Sequence, residues 1–375
     1  MTSQTGMIQS YINTVPDKRM VTDRILQLDP LDIVAYSYLG TDMGKFNFTN
    51  RDGKVYEWLE DNWNDRTDTV ASGLSSGTTT TTCVITTAAL FQPGDVWLIE
   101  SEQVWVSAMS GTTATIVRGF GGSTAATHAD STAMTRISRA RIDGDDADNS
   151  PSTEVSSNYN YTQILQRTIN VARTKEKIAE YGVSSWTDYL IDKAMKELMM
   201  DLARLPYYGL RYVGTSSAAR YAGGFKTFIT NNLTNVSSAV LTRDAIDDTL
   251  QNIHADGGDP NLILCGAHFQ RKINDFYEGF VQTERSEQLG GVLIKKLMNP
   301  ITGKILDVVV DRNCPSDYAW IVDTSLVSFY PFDPFFYEDL AKTGDAKVGQ
   351  VVGEYGFVAA SDQKHGLVYG FSTSA

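Results

Sequence analysis

The sequence predicts an α+β fold with a small all-β domain inserted into it and an extended arm at its start. Three observations carry this expectation. One long amphipathic pattern at 186–205 predicts a single dominant helix. Behind it, short apolar runs alternate with helical periodicity up to the C-terminus. Residues 71–138 switch to a Ser-, Thr- and Gly-rich composition with short strand patterns between turn signals.

Residues 1–45 read as an arm. Val21, Ile25 and Leu28 lie at helical spacing between Pro16 and Pro30, with too little apolar surface for a separate core. "KVYEWLEDNW" (54–63) reads as a strand, and its partner is expected within 157–178. Inside 71–138, turns are expected at Gln92-Pro93-Gly94-Asp95, Glu100-Ser101-Glu102 and Ser110-Gly111. In the long helix, Ser185 is placed to cap and Asp188 to complete a capping box. Leu190, Ala194, Leu198 and Leu202 recur every four residues, Ile191, Met195 and Met199 widen the stripe, and Pro206 follows the last turn. Thr242 should cap "RDAIDDTLQNIHAD", which Gly257-Gly258 should stop. "NLILCG" reads as a buried strand, and "AHFQRKINDFYEGF" as a helix with Phe269, Ile273, Phe276 and Phe280 on one face. Two strands are expected around the turn 299–303, and more in "YAWIVDTSLVSFYPF" and "VGEYGFVAASDQKHGLVYGFS".

Composition excludes several function classes. The net charge of −13 and the lack of a basic stripe argue against gripping nucleic acid through its phosphates. Cys83, Cys265 and Cys314 are few, distant and unpaired in spacing, which fits neither a zinc site nor a disulfide framework. "MTSQTGMIQSY" carries no secretion signal, and no apolar run approaches the ~20 residues of a membrane helix.

Catalytic patterns fail on chemical grounds. Gly73-Leu74-Ser75-Ser76-Gly77 has the G-x-S-x-G form, but "TTTTTC" cannot supply the helix that a nucleophile elbow needs. Gly40-Thr41-Asp42-Met43-Gly44-Lys45 is one residue short between its glycines, and Phe46 stands where a magnesium-binding hydroxyl belongs. Lys342-Thr343-Gly344-Asp345 lacks the first glycine of a phosphate loop. From Asp143 to Glu154 the acidic spacing resembles a calcium loop, yet Ala147 and Asp148 occupy its fifth and sixth places, the latter normally Gly. His128, His254, His268 and His365 show no metal-ligand spacing. No catalytic, cofactor-binding or metal-binding residue is therefore expected.

Phe329, Tyr330, Phe332, Phe335, Phe336 and Tyr337 crowd nine residues around Pro331 and Pro334. The prolines argue against a regular central strand, leaving a core role or a contact between subunits.

Several stretches together resemble the major capsid proteins of tailed double-stranded DNA bacteriophages, which have the Hong Kong 97-type fold, nearest a branch of podovirus- and siphovirus-type head proteins. They are "KRMVTDRILQLDPLDIV", "YEWLEDNW", "STEVSSNYNYTQILQRTINVARTKEKIAEYG", "KELMMDLARLPYYG", "PNLILCGAHFQRKINDF" and "EDLAKTGDAKVGQVVGEYGF". The resemblance implies an N-terminal arm (1–45), an extended loop with peripheral strands (46–70 and 139–182) and the inserted β domain (71–138). It further implies a peripheral domain with the spine helix (183–238), an axial domain (239–330) and C-terminal strands (331–375). It implies a non-enzymatic protein that builds pentamers and hexamers of an icosahedral head around DNA, in the virion after assembly in the host cytoplasm. The partners expected are further copies, a separate scaffolding protein, a portal protein and a decoration protein. A tail or baseplate protein and a hydrolase or binding protein with a β module are the alternatives. An acidic lining that does not hold the genome suits a DNA container.

Overall fold

The computed structural model describes residues 33–41, 46, 53–61, 63–74, 82–140, 143–144, 153–178, 183–216, 218–277, 296–342 and 344–373. The chain divides into two compact units. One comprises Leu59–Ser157, the other Met1–Trp58 with Asn158–Ala375.

The larger unit is organised by the helix Trp186–Tyr208. The Ser185 side chain accepts from the Asp188 N–H at 3.2 Å, as the sequence predicts. Glu176, which the sequence did not single out, accepts from the Thr187 N–H at 3.2 Å and places a negative charge at the positive end of the helix. Ala194, Leu198 and Leu202 are buried, each Leu stabilising by ~1.5–3 kcal/mol. The helix passes Pro206 and ends two residues later. Tyr207 holds this last turn: it is fully buried and donates from its hydroxyl to Asp311 Oδ2 at 2.8 Å.

Against the helix lies an antiparallel sheet in the order Val327–Asp339, Ala346–Ala359, Gln163–Ala172. The segment 157–178 thus splits. Only Ser156–Tyr161 pairs with Val55–Glu60, Gln163–Ala172 joins the three-stranded sheet, and Arg173–Lys177 forms a short helix.

Pro331 and Pro334 keep their segment out of a regular central strand, as the sequence predicts. One strand runs from Val327 to Asp339 at the sheet edge, with register shifts between Pro331 and Asp333 and between Asp333 and Phe336. An edge position with a bulge accommodates residues that lack an N–H. Phe329 and Tyr330 belong to the core; Phe332, Phe335 and Tyr337 pack against it partly buried, and Phe336 is exposed.

Glycine explains the partner strand. Side chains added at Gly349, Gly353 and Gly356 would overlap Tyr337, Phe335 and Tyr56 respectively. Three aromatic rings cover strand positions that have no side chain of their own.

A mixed six-stranded sheet follows in the order Leu233–Asn235, Gly366–Tyr369, Tyr318–Val322, Leu262–Cys265, Ile305–Val310, Lys296–Met298. Its central strands read as unbroken apolar runs because both faces are buried. Leu262, Leu264, Trp320 and Val322 face the first core with the long helix. Ile263, Cys265, Ala319 and Ile321 face a second core under Arg243–Ala255 and Ala267–Tyr277. Thr242 caps the former helix. Gly257, at φ 82°, and Gly258 close it by donating to His254 O at 3.0 Å and Ile253 O at 2.8 Å, the paired bonds of a Schellman motif. Phe269 and Ile273 are buried as expected, while Phe280 lies outside the described residues.

The arm contributes a helix, Val34–Leu39, whose Ala35 and Leu39 enter the first core. Val21, Ile25 and Leu28 lie outside the described residues.

The smaller unit holds a closed antiparallel barrel in the order Thr67–Ser72, Thr82–Ile85, Thr113–Val117, Glu102–Ser110, Asp95–Ile99, Ala133–Arg139. Closure removes the edges that would otherwise pair with other chains. The barrel takes in residues 67–70, which the resemblance placed in the extended loop. Val70, Ile85, Ile99, Val106, Ile116 and Met134 fill its interior, and Phe91 stacks on Trp97 at 3.9 Å.

Candidate assembly surfaces

Behind the long helix, exposed apolar side chains gather on a short hairpin. Tyr208, Leu210, Tyr212, Val213 and Tyr221 are 44–68% exposed. Tyr212 and Tyr221 exchange backbone bonds of 3.1 and 3.0 Å. Two arginines fasten the hairpin to its own unit. Arg211 lies 4.3 Å over the Tyr159 ring and donates to Tyr159 O at 2.8 Å; Arg220 donates to Thr162 O at 2.7 Å and pairs with Glu354. The rings left outside border a cleft of about 540 Å³ with Gln163, Asp201 and Arg204. Exposed apolar patches of this kind are characteristic of surfaces where molecules meet.

The strand Val55–Glu60 has two characters. Tyr56 and Trp58 point into the first core, where Tyr56 stacks on Tyr330 at 4.6 Å and Trp58 meets Phe228 at 5.2 Å. Glu57 and Leu59 alternate outward, Leu59 at 75% exposure. A two-stranded ribbon alone is marginal in water, and here the packing of Tyr56 and Trp58 into the first core holds it.

Inside the barrel, polar chemistry is buried. Arg118 donates from Nε and Nη2 to the two oxygens of Glu102, at 2.6 and 2.7 Å. Glu102 also accepts from the N–H groups of Gly119 and Ala126, both at 3.0 Å. His128 lies between two carboxylates, with Nε2 2.9 Å from Glu102 and Nδ1 3.1 Å from Glu100. Burial acts to raise the Glu102 carboxyl, but Arg118, Ala126, His128 and Gly119 outweigh it and lower it from 4.5 to about 2. A carboxyl depressed in the folded state gives stability that is complete above its unfolded value and fades as pH falls through the folded one. The barrel's urea midpoint should therefore drop between about pH 5 and pH 2, and drop less in Glu102→Gln; equal acid sensitivity in the two proteins would contradict this.

The sequence motifs scatter. Gly73 donates to Asp130 and Leu74 bridges to His128, while Ser75, Ser76 and Gly77 lie outside the described residues. Gly40 ends the arm helix, Phe46 packs against the first core, and Asp42–Lys45 lie outside. Lys342 and Asp345 belong to the connection between two sheet strands, with Asp345 bound to Arg173 at 2.6 Å; Thr343 lies outside. Asp143 and Glu154 are described, whereas Asp145, Ala147 and Asp148 are not. Among the described residues, no group of three or more His, Cys, Asp or Glu could hold a metal. His365 is buried, accepting from the Asp323 N–H and facing Ala360 O, and His268 stacks on Phe371; burial lowers both. His254 is exposed in the last turn of its helix. The three cysteines are buried and free, and burial pushes Cys83 up to about 11 and Cys265 to about 12.

What the geometry offers is surfaces and a buried ion network. Comparison with known proteins agrees. The family described as "SU10 major capsid protein" matches residues 3–372. No curated protein matches the chain. The cyanophage A-1(L) capsid asymmetric unit has a similar structure, at 11% identity and a TM-score of 0.60 over 97% of this chain and 100% of that one. The capsid of the native GTA particle is similar at 9% identity and a TM-score of 0.51, over 97% and 96%. At such identities these likenesses speak for the fold, which is the Hong Kong 97-type capsid fold. The family match spans nearly the whole chain, and the chain belongs to the SU10 major capsid protein family.

Proposed function

We propose that the chain is the repeating unit of an icosahedral phage head, forming pentamers and hexamers around double-stranded DNA and catalysing no reaction. The family match over residues 3–372 carries this reading. In it, the helix Trp186–Tyr208 is the spine of a peripheral domain (183–238), and residues 239–330 form the axial domain at the symmetry axes. The ribbon around Val55–Glu60 is the base of an extended loop lying on a neighbouring copy, and the barrel (71–138 in the sequence-based division) is an elaboration of that loop. The residues before 46 act as an arm toward another copy, and 331–375 return to the peripheral and axial core. Assembly proceeds in the host cytoplasm with a separate scaffolding protein, at a portal, and a decoration protein completes the virion. Exposed apolar side chains on the hairpin 208–221 and on Leu59 support contacts between copies.

Negative-stain electron microscopy of the expressed protein, with and without its genomic neighbours, tests the reading. Closed shells or capsomer rings are expected; open tubes would favour the tail-protein alternative. Glu57→Lys combined with Glu60→Lys should cut shell yield while the far-UV circular dichroism of the unassembled chain stays unchanged. Normal shells from this double variant would remove the ribbon from the contact.

A further inference from the structure

The barrel carries a charge arrangement that its own fold does not explain. Thr67 pairs with Thr135, so Arg66 and Arg136 stand directly opposite each other, and the Arg136 N–H donates to Arg66 O at 2.7 Å. Like charges opposite one another across antiparallel strands destabilise a sheet. Neither guanidinium forms an ion pair among the described residues. The Arg136 guanidinium donates to Leu90 O at 3.3 Å, and the Arg66 guanidinium has no partner among the described residues. Arg139, by contrast, is held by Asp95 at 2.6 Å. The two guanidiniums line a groove in two parts, of about 490 and 280 Å³. Trp63 and Ile137 wall it. Trp63 is 97% exposed, the highest value for a large apolar side chain among the described residues.

We propose that this groove is a docking site for a carboxylate-bearing segment of a second copy of the chain. Charge complementarity selects the occupant. A copy carries 45 acidic against 32 basic residues, so the surface it offers is rich in carboxylates. Two adjacent guanidiniums match carboxylates in a forked geometry, and the indole covers the apolar stem of the incoming side chain. A surface that tracks nucleic acid needs many phosphate contacts, and two cations on a chain of net charge −13 do not provide them. The docking rests on the shell-forming reading above and names one contact within it.

Two measurements test the groove and separate its failure from failure of that reading. The first compares shell yield of the wild type with Arg66→Glu/Arg136→Glu and Arg66→Gln/Arg136→Gln, the Gln pair serving if the Glu pair does not fold. Both pairs should lose at least about ten-fold in yield, because every copy repeats the contact, while their unassembled chains melt no lower than wild type. Wild-type yield from a folded variant overturns the proposal and leaves the capsid reading intact. Should the wild type form no shells, that result bears on the capsid reading, and the second measurement decides the groove. It follows the fluorescence of the unassembled full chain, with Trp63→Phe as the blank, during titration with an oligoglutamate peptide or a short DNA duplex. A saturable, salt-sensitive response to oligoglutamate that the Gln pair abolishes supports the site. No response, or a response to DNA alone, overturns it.

Discussion

Arg118→Met should strip the barrel of its protection against hydrogen exchange and leave the larger unit untouched. Met keeps most of the volume of the arginine stem and removes its charge. The Arg118 side chain is 1% exposed and that of Glu102 is 0%. Without the guanidinium, the Glu102 carboxylate keeps the N–H groups of Gly119 and Ala126 and the His128 ring, but loses its permanent counter-charge in a place that water does not reach. Breaking one partner of a buried pair costs about 3–5 kcal/mol, against ~5–15 kcal/mol for the whole stability of a typical domain. Arg118 also donates to Ala126 O at 2.5 Å, so the 119–128 loop loses an anchor as well. Exchange followed by mass spectrometry should show faster exchange in 95–99, 102–110 and 113–117, with 346–359 unchanged. Adding Glu102→Gln removes the stranded charge and should recover part of the loss. Uniform loss of protection along the chain, or no rescue by the second change, would sink the argument.

The contrast between what could and could not be read from the sequence follows from the range of the forces. Ser185, Thr242 and the Gly257-Gly258 stop act within one helical turn, so their side chains state their role locally. "LILC" and "AWIV" were readable as buried strands because burial on both faces writes an unbroken apolar run. Pairings across the chain leave no such mark. Val351 meets Arg167 and Tyr355 meets Gln163, so nothing local says that 157–178 must break at Thr162. Pro331 and Pro334 rule out a central strand locally, but that the strand can continue at an edge is a property of the sheet, not of the segment. The buried ion network had a faint signal: Arg118 ends the alternating run "TATIV", and Glu102 opens "EQVWV". Charges at the ends of strands are common in loops, and only closure of the barrel brings these two together. The facing arginines 66 and 136 depend on the same closure.

Gly356→Ala is expected to cost ~2–4 kcal/mol, far more than Gly349→Ala in the same strand. Each added methyl would overlap an aromatic ring, so the difference lies in whether that ring can move. Tyr337, over Gly349, is half-buried and bonded through its hydroxyl to exposed Asp339, and it can swing outward. Tyr56, over Gly356, cannot. Its hydroxyl accepts from the Phe357 N–H at 2.6 Å and donates to Phe357 O at 2.9 Å, while its ring stacks on Tyr330. Displacing it orphans the buried Phe357 N–H at ~1–3 kcal/mol, beyond the strain of overpacking, while Phe357 O keeps the Asn160 amide at 2.7 Å. Denaturant midpoints of the two variants should separate clearly, and equal midpoints would refute the idea that the ring is locked. Truncating the ring in Gly356→Ala/Tyr56→Leu removes the overlap, so the second change should cost much less there than in the wild-type background. The consequence extends to assembly. Tyr56 sits on the strand whose other face presents Glu57 and Leu59, so moving it shifts that outward face. Gly356→Ala should therefore lower shell yield further than its loss of stability alone would, whereas Gly349→Ala should not.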